Sequence, residues 1–369
     1  MTITTQAAVV ETGGAPFTLV DVELDEPRAD EVLVRMTAAG LCHTDLGVAS
    51  GGLPFPLPGV LGHEGAGVVE RVGAAVTSVA PGDHVLLSFT SCGGCGNCRG
   101  GHPAYCATWL ADNLIGGSRR DGSATITRAG APLGGHFFGQ SSFSRLAVAD
   151  ERSVVKVDPG APLETIAPLG CGVQTGIGAV WHVLRPGPGS TVVVAGAGAV
   201  GLSAVMAAAL TPALRIVAVD LVPARLDLAR KLGATHVIDA STEDVPARLA
   251  ELTAGAGADG AIETTGSVQV LRQLVDGLAA RGTVVVVGAP PFGTEVGLDV
   301  NGMLGGRTVT GITLGDSETQ TFIPLLAAMV ADGRLPVGEL VTTYDFADIE
   351  QAVADVKSGV AIKPVLTFG

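Results

Sequence analysis

The chain has 369 residues, 47% of them hydrophobic, enough to bury a large core, and its length favours two domains. Its 22 Lys and Arg stand against 36 Asp and Glu, a net charge of -14 that argues against nucleic acid and anionic membrane surfaces as partners. The first residues lack a basic stretch followed by an apolar run, and no apolar run reaches membrane length, so a cytoplasmic protein is expected.

From Thr2 to about Asp158, short Val-rich runs such as Glu31 to Met36 and Gly67 to Val72 are broken by Pro and Gly clusters, which predicts mostly antiparallel β structure. Two chemical motifs open this half: Gly40-Leu41-Cys42-His43-Thr44-Asp45, and Gly62-His63-Glu64 at the head of a GHE-x2-G-x5-G-x2-V pattern. Next come Cys92, Cys95, Cys98 and Cys106, spaced C-x2-C-x2-C-x7-C in a Gly-rich run that can fold around one ion. Thiolates at this spacing suit tetrahedral zinc, and four protein ligands leave no position for substrate, so this zinc is expected to be structural. Free thiols, two local disulfides and an iron–sulfur cluster are the alternatives, outranked because clustered cysteines in a large chain with no export signal point to zinc.

Cys42 and Cys171 remain, each beside glycine, with Cys171 in Gly170-Cys171-Gly172. With His63 they make a Cys2His set whose fourth position is open, as a zinc that handles substrate requires. Taken singly, each of the three would read as an ordinary core residue.

Beyond about Gly172, apolar runs at Thr191 to Ala195, Arg215 to Asp220, Gly260 to Glu263 and Thr283 to Gly288 alternate with helical patterns, predicting βαβ units around a parallel sheet. The first of these runs enters Gly196-Ala197-Gly198-Ala199-Val200-Gly201, and the Ala-rich stretch Leu202 to Leu210 follows. Strand, glycine turn and helix in this order predict a dinucleotide site, with pyrophosphate at the helix N-terminus. Asp220, at the end of the next strand, suits the adenosine ribose and would repel the extra phosphate of NADP, so NAD is expected. Helical patterns at Thr319 to Asp332 and Ala347 to Ser358, then the run Lys363 to Phe368, are expected to return to the first domain.

The GHE pattern, the cysteine lobe and the Gly-Cys-Gly segment resemble the zinc-containing medium-chain alcohol dehydrogenases, essentially end to end. The stretches around Leu169 to Gly176 and Lys363 to Leu366 look most like the aryl (benzyl) alcohol branch. The resemblance implies an α/β protein: a GroES-like, mostly-β catalytic domain (residues 1–172 and 314–369) and a Rossmann coenzyme domain with a doubly wound parallel sheet (173–313). It implies two zinc ions per subunit, NAD, an alcohol/aldehyde substrate pair and a homo-oligomer. In such enzymes zinc acts as the Lewis acid and the fold holds the carbinol carbon against the nicotinamide.

Residue by residue, the resemblance assigns Thr44 to the alcohol oxygen, and His43 to proton transfer or cofactor phosphate. Asp45 and Glu64 become carboxylates that orient His63 and tune the zinc charge. Thr175, Val287, Arg225 and Lys363 join the glycine turn as cofactor contacts. Phe89, Leu110, Phe137, Phe138 and Ile312 would line an apolar channel for aromatic or allylic alcohols. The relay histidine found in dimeric relatives five residues after the first cysteine is Gly47 here, leaving His43 or bulk water to take the proton. Rival readings are a thiol-adduct formaldehyde dehydrogenase, whose relatives carry Arg where this chain has Leu110, and a non-catalytic NAD-binding zinc protein.

Overall fold

The strand Glu31–Gly40 is buried at nearly every position on both faces, Arg35 alone pointing to solvent, and the sheet around it explains why. In the computed structural model, which describes residues 2–369, this strand pairs antiparallel with Gly65–Val72, Leu146–Asp150 and Lys363–Thr367. The seven-stranded sheet runs Val154–Lys156, His84–Leu87, Gly65–Val72, Glu31–Gly40, Lys363–Thr367, Val341–Asp345, with Leu146–Asp150 also on the central strand. A five-stranded sheet built on the Ile3–Val10 and Phe17–Leu24 pair completes the β structure of this unit. The unit consists of the chain through Cys171 together with Ser317–Gly369.

The C-terminal segment therefore belongs to the first unit, where Leu366 pairs with Ala39. Its last two strands run parallel, Val341 opposite Lys363. A parallel pair needs a crossover, and the helix Ile349–Ser358 supplies it. That helix starts two residues later than the pattern predicts, because Phe346–Asp348 forms a 3-10 turn capped by the Asp345 carboxylate, which accepts from Ala347 N at 2.8 Å.

Gly172–Asp316 forms the second unit. Its six strands lie in the order His236–Asp239, Arg215–Asp220, Thr191–Ala195, Ala258–Glu263, Leu278–Val286, Thr308–Gly311, with every pairing parallel. In chain order this is 3-2-1-4-5-6, the doubly wound arrangement with its switch point beside the first strand. Val193, Val217, Ile238 and Val284 are fully buried in its core. The predicted run Thr283 to Gly288 ends as a strand at Val286, because the Val287 and Gly288 N–H groups both turn to the Glu263 carbonyl. No helix among the described residues is long and apolar enough to cross a membrane.

Two glycines of the GHE pattern owe their place to packing. A Cβ on Gly67 would lie 2.2 Å from the Arg35 carbonyl oxygen, and one on Gly73 would lie 1.9 Å from that of Arg28. Neighbouring backbone is the obstacle in both cases, so no side-chain rotation relieves it. Gly67→Ala is expected to cost about 1–3 kcal/mol, read as a lower unfolding midpoint; an unchanged midpoint would show that the two strands can separate without penalty.

Candidate active site

Cys42 is the N-cap of the helix His43–Ala49, and Asp45, in the first turn of that helix, folds back to accept the Cys42 N–H at 2.9 Å. The same fully buried carboxylate accepts Gly62 N at 3.0 Å and faces His63 Nδ1 at 3.0 Å. One acid thus fixes both the cysteine and the histidine. Gly62 takes φ +89, and a Cβ there would meet the Phe143 ring at 2.5 Å, so glycine is required to bring His63 inward.

The other imidazole nitrogen, His63 Nε2, is buried with no hydrogen-bond partner. A buried polar atom left this way is costly unless something else satisfies it. Cys42, His63, Glu64 and Cys171 each present one ligand atom, all within 4.8 Å of one another. A zinc ion fits this donor set: two thiols, an orphaned imidazole nitrogen and a carboxylate within reach. Glu64 therefore lies among the donors themselves, whereas Asp45 is the acid that orients His63.

The Glu64 carboxylate accepts Lys363 Nζ at 2.9 Å on both oxygens, and the same ammonium reaches the Leu41 carbonyl at 3.2 Å. Gly40 makes room for this pair, since a Cβ there would lie 2.0 Å from Glu64 Oε2. Lys363, assigned by resemblance to the cofactor pyrophosphate, is 3% exposed and turned inward to the metal donors. Burial alone would strip its proton, but the Glu64 charge, and behind it Cys42, hold the ammonium protonated.

The thiols differ. A hydrogen bond from Cys171 holds Cys42 well below the usual thiol range despite burial, with Lys363 and His63 helping. Cys171 is pushed up by giving that hydrogen bond and by burial. Burial pulls the His63 imidazole down, yet Asp45 and then Cys42 override it and raise the pKa to about 10.

In the lobe, Cys92 N donates to Cys106 Sγ at 3.2 Å, and Gly94 N and Cys95 N donate to Cys92 Sγ at 3.4 and 3.3 Å. Its four sulfurs lie within 4.8 Å of one another, close to the spacing of about 3.8 Å that tetrahedral zinc with Zn–S of about 2.3 Å requires. The Ala107 and Cys98 backbone N–H groups lower Cys95 to about 6, whereas burial and the neighbouring Cys95 and Cys106 raise Cys98 to about 12. None of the six cysteines forms a disulfide.

An aromatic group covers His63. Phe138 stacks on the imidazole at 4.5 Å and 26°, while Phe137 meets it edge-on at 5.4 Å. Phe138 holds φ 52, a left-handed conformation that costs a bulky residue roughly 1–2 kcal/mol, so the surrounding contacts must hold it there. Trp109 packs edge-on against Phe138 at 5.7 Å and Phe55 against Phe137 at 5.1 Å. Sequence reasoning missed both, since neither lies in a motif; the spacing of Trp109 three residues after the last lobe cysteine was the available signal. Phe89 instead lines a cavity of about 290 Å³ beside the lobe, with Cys98, Pro103 and Gln320. Leu110 is 41% exposed just before the π-helical turn Ala111–Ile115. Thr44 Oγ1 lies 3.9 Å from Cys42 Sγ, and His43 is exposed.

In the second unit, Gly196 takes φ +94, and a Cβ on Gly201 would lie 1.8 Å from the Gly196 carbonyl oxygen. Gly198 caps the helix Ala199–Ala209, with half-buried Val200 in its first turn. The Asp220 carboxylate accepts Ala197 N at 2.6 Å and Val222 N at 2.9 Å, tying the glycine turn to the end of the second strand. Arg225 Nε is buried without a partner, Thr175 is 7% exposed, Val287 is half-buried and Ile312 is buried.

A β unit with a Cys2His donor set beside a carboxylate and a four-thiol lobe, on one chain with a doubly wound unit and its glycine turn, defines a zinc-dependent dehydrogenase. The chain belongs to the zinc-containing alcohol dehydrogenase family: residues 28–159 match the alcohol dehydrogenase GroES-like domain, and residues 199–329 the zinc-binding dehydrogenase domain. It is 43% identical over 367 residues to a geraniol dehydrogenase of Castellaniella defragrans, covering 99% of this chain and 98% of that protein. The crystal structure of benzyl alcohol dehydrogenase from Acinetobacter calcoaceticus aligns over 100% of both chains with TM-score 0.95 and 43% identity. That of an alcohol dehydrogenase zinc-binding domain protein from Burkholderia ambifaria aligns over 100% of both with TM-score 0.97 and 51% identity.

With His63 and Cys171 both holding protons at neutral pH before metal arrives, zinc uptake should release protons. Apparent affinity should then rise with pH, by about tenfold per pH unit for each proton displaced, with the His63 contribution ending near 10. Titrating metal-stripped protein with zinc in weak buffer and an indicator dye tests this; uptake without acidification would contradict it. Asp45→Asn, which removes the anchor of His63, should weaken zinc binding at this site by about 10–100-fold while the lobe keeps its ion, as metal analysis after graded chelation would show.

Proposed function

We propose that the protein interconverts primary aromatic or allylic alcohols and their aldehydes, passing hydride between the carbinol carbon and NAD. The carrying observation is the Phe138 ring stacked on His63, flanked by Phe137 and Trp109, which sets a flat apolar wall directly beside the metal donors. Such a wall favours a substrate whose carbinol carbon is attached to a π system. The names of the relatives support the reading, since benzyl alcohol is aromatic and geraniol allylic.

Zinc held by Cys42, His63 and Cys171 would supply Lewis-acid polarisation of the alcohol oxygen. Asp45 keeps His63 oriented, and Lys363 keeps Glu64 from standing as a lone buried charge. The Thr44 hydroxyl accepts the alcohol's hydrogen bond and, on receiving that proton, releases its own to exposed His43 or to water, since Gly47 offers no relay. Gly196, Gly198 and the first turn of the Ala199–Ala209 helix receive the pyrophosphate. Asp220 receives the adenosine ribose, with Arg225, Thr175 and Val287 completing the cofactor site. Leu110 brings no cation to hold the carboxylate of a thiol adduct, which disfavours the formaldehyde reading. A homo-oligomer is supported by Val300 and Leu304, 76% and 80% exposed, just before the outer strand Thr308–Gly311.

Initial rates of NADH formation with benzyl alcohol, cinnamyl alcohol, geraniol and ethanol test the reading: kcat/KM should be at least about tenfold higher for the three conjugated alcohols. Ethanol turned over equally well would defeat it. Asp220→Ser should shift preference toward NADP by about tenfold or more, measured as the ratio of kcat/KM for the two cofactors.

A further inference from the structure

Gln140 is 1% exposed, and its amide makes three hydrogen bonds, all to backbone of other segments. Nε2 donates to the His63 carbonyl at 3.0 Å and to the Ser88 carbonyl at 2.7 Å, while Oε1 accepts Gly65 N at 3.2 Å. Flipping the amide would set its oxygen against two carbonyls, so the network fixes its orientation. Ser88 Oγ in turn donates to the Gly170 carbonyl at 2.6 Å, one residue before Cys171. Through one side chain, the peptide of one metal donor is held directly and that of another at one remove.

The backbone that carries Gln140 is the strained turn of the aromatic wall. Phe138, Gly139 and Ser141 take φ values of 52, 70 and 50, three left-handed residues within four. Ser141 Oγ accepts Phe137 N at 3.0 Å and donates to the Val60 carbonyl at 2.7 Å, holding the start of the turn, while Gln140 ties the turn to the carbonyl of His63 itself. Such a turn persists only where its surroundings over-determine it.

We propose that Gln140 is a positioning residue: it sets the Phe137–Phe138 wall against His63 and thereby sets the preference for conjugated over aliphatic alcohols. The selectivity half rests on the function proposed above; the geometric half does not. Gln140→Met keeps length and apolar bulk and removes all three bonds. It should retain zinc in both sites and leave NADH affinity, read by fluorescence, within about twofold, while kcat/KM for benzyl alcohol falls about tenfold or more and that for ethanol changes much less. With cobalt(II) in the Cys42–His63–Cys171 site, the visible ligand-field bands should shift. Equal loss for both alcohols with unshifted bands would reduce Gln140 to a packing role and overturn the proposal. Should the Met variant not fold, Gln140→Glu keeps the acceptor for Gly65 but puts a carboxylate oxygen against two carbonyls, and it must move the selectivity ratio and the bands the same way or the proposal fails. A wild type that prefers ethanol would sink the substrate reading, while the cobalt bands of the variants would still report on positioning.

Discussion

A single buried carboxylate organises the metal site. Asp45 receives the N–H groups of Cys42 and Gly62 and faces His63 Nδ1, so one acid closes a helix start, a left-handed glycine and an imidazole onto one point. With Nδ1 held by this carboxylate, the ring is oriented so that Nε2 faces the other metal donors. The four-thiol lobe is built the other way, from backbone N–H groups turned on sulfur.

The zinc donor set and the polar groups that hold it come from one unit, and the glycine turn with Asp220 from the other. Each is supported by its own sheet, and in each an acid takes backbone N–H groups at a chain reversal: Asp45 at the helix His43–Ala49, Asp220 between the glycine turn and Val222. Lys363 joins the metal site by a bond that its place in the sequence does not announce. Its ammonium is buried and donates to both oxygens of the Glu64 carboxylate, beside the metal donors.

Much of this was legible in the sequence because the signals were local. Cysteine spacing, the GHE pattern and the strand–glycine–helix order each report on neighbours within about twenty residues, and alternation of apolar runs identified the parallel sheet. Long-range side-chain partners were not legible. Nothing near Gln140 announces that its amide meets His63, Gly65 and Ser88, and the aromatic roles of Trp109 and Phe55 depend on a left-handed Phe138 that no propensity predicts. The strand Val341–Asp345 and its parallel pairing with Lys363–Thr367 were not legible either, because its mixed polar pattern carries no strong strand signal.

Lys363 and Glu64 are separated by 299 positions, and between them lies a unit that folds around a sheet of its own. Closing so long a loop costs entropy that short-range contacts do not, and topologies dominated by distant contacts fold slowly. Until the strand Lys363–Thr367 docks on Glu31–Gly40, the Lys363 ammonium is not in place to offset the desolvation that opposes burial of Glu64. The site is therefore complete only when the two separated stretches of chain that build this unit have come together.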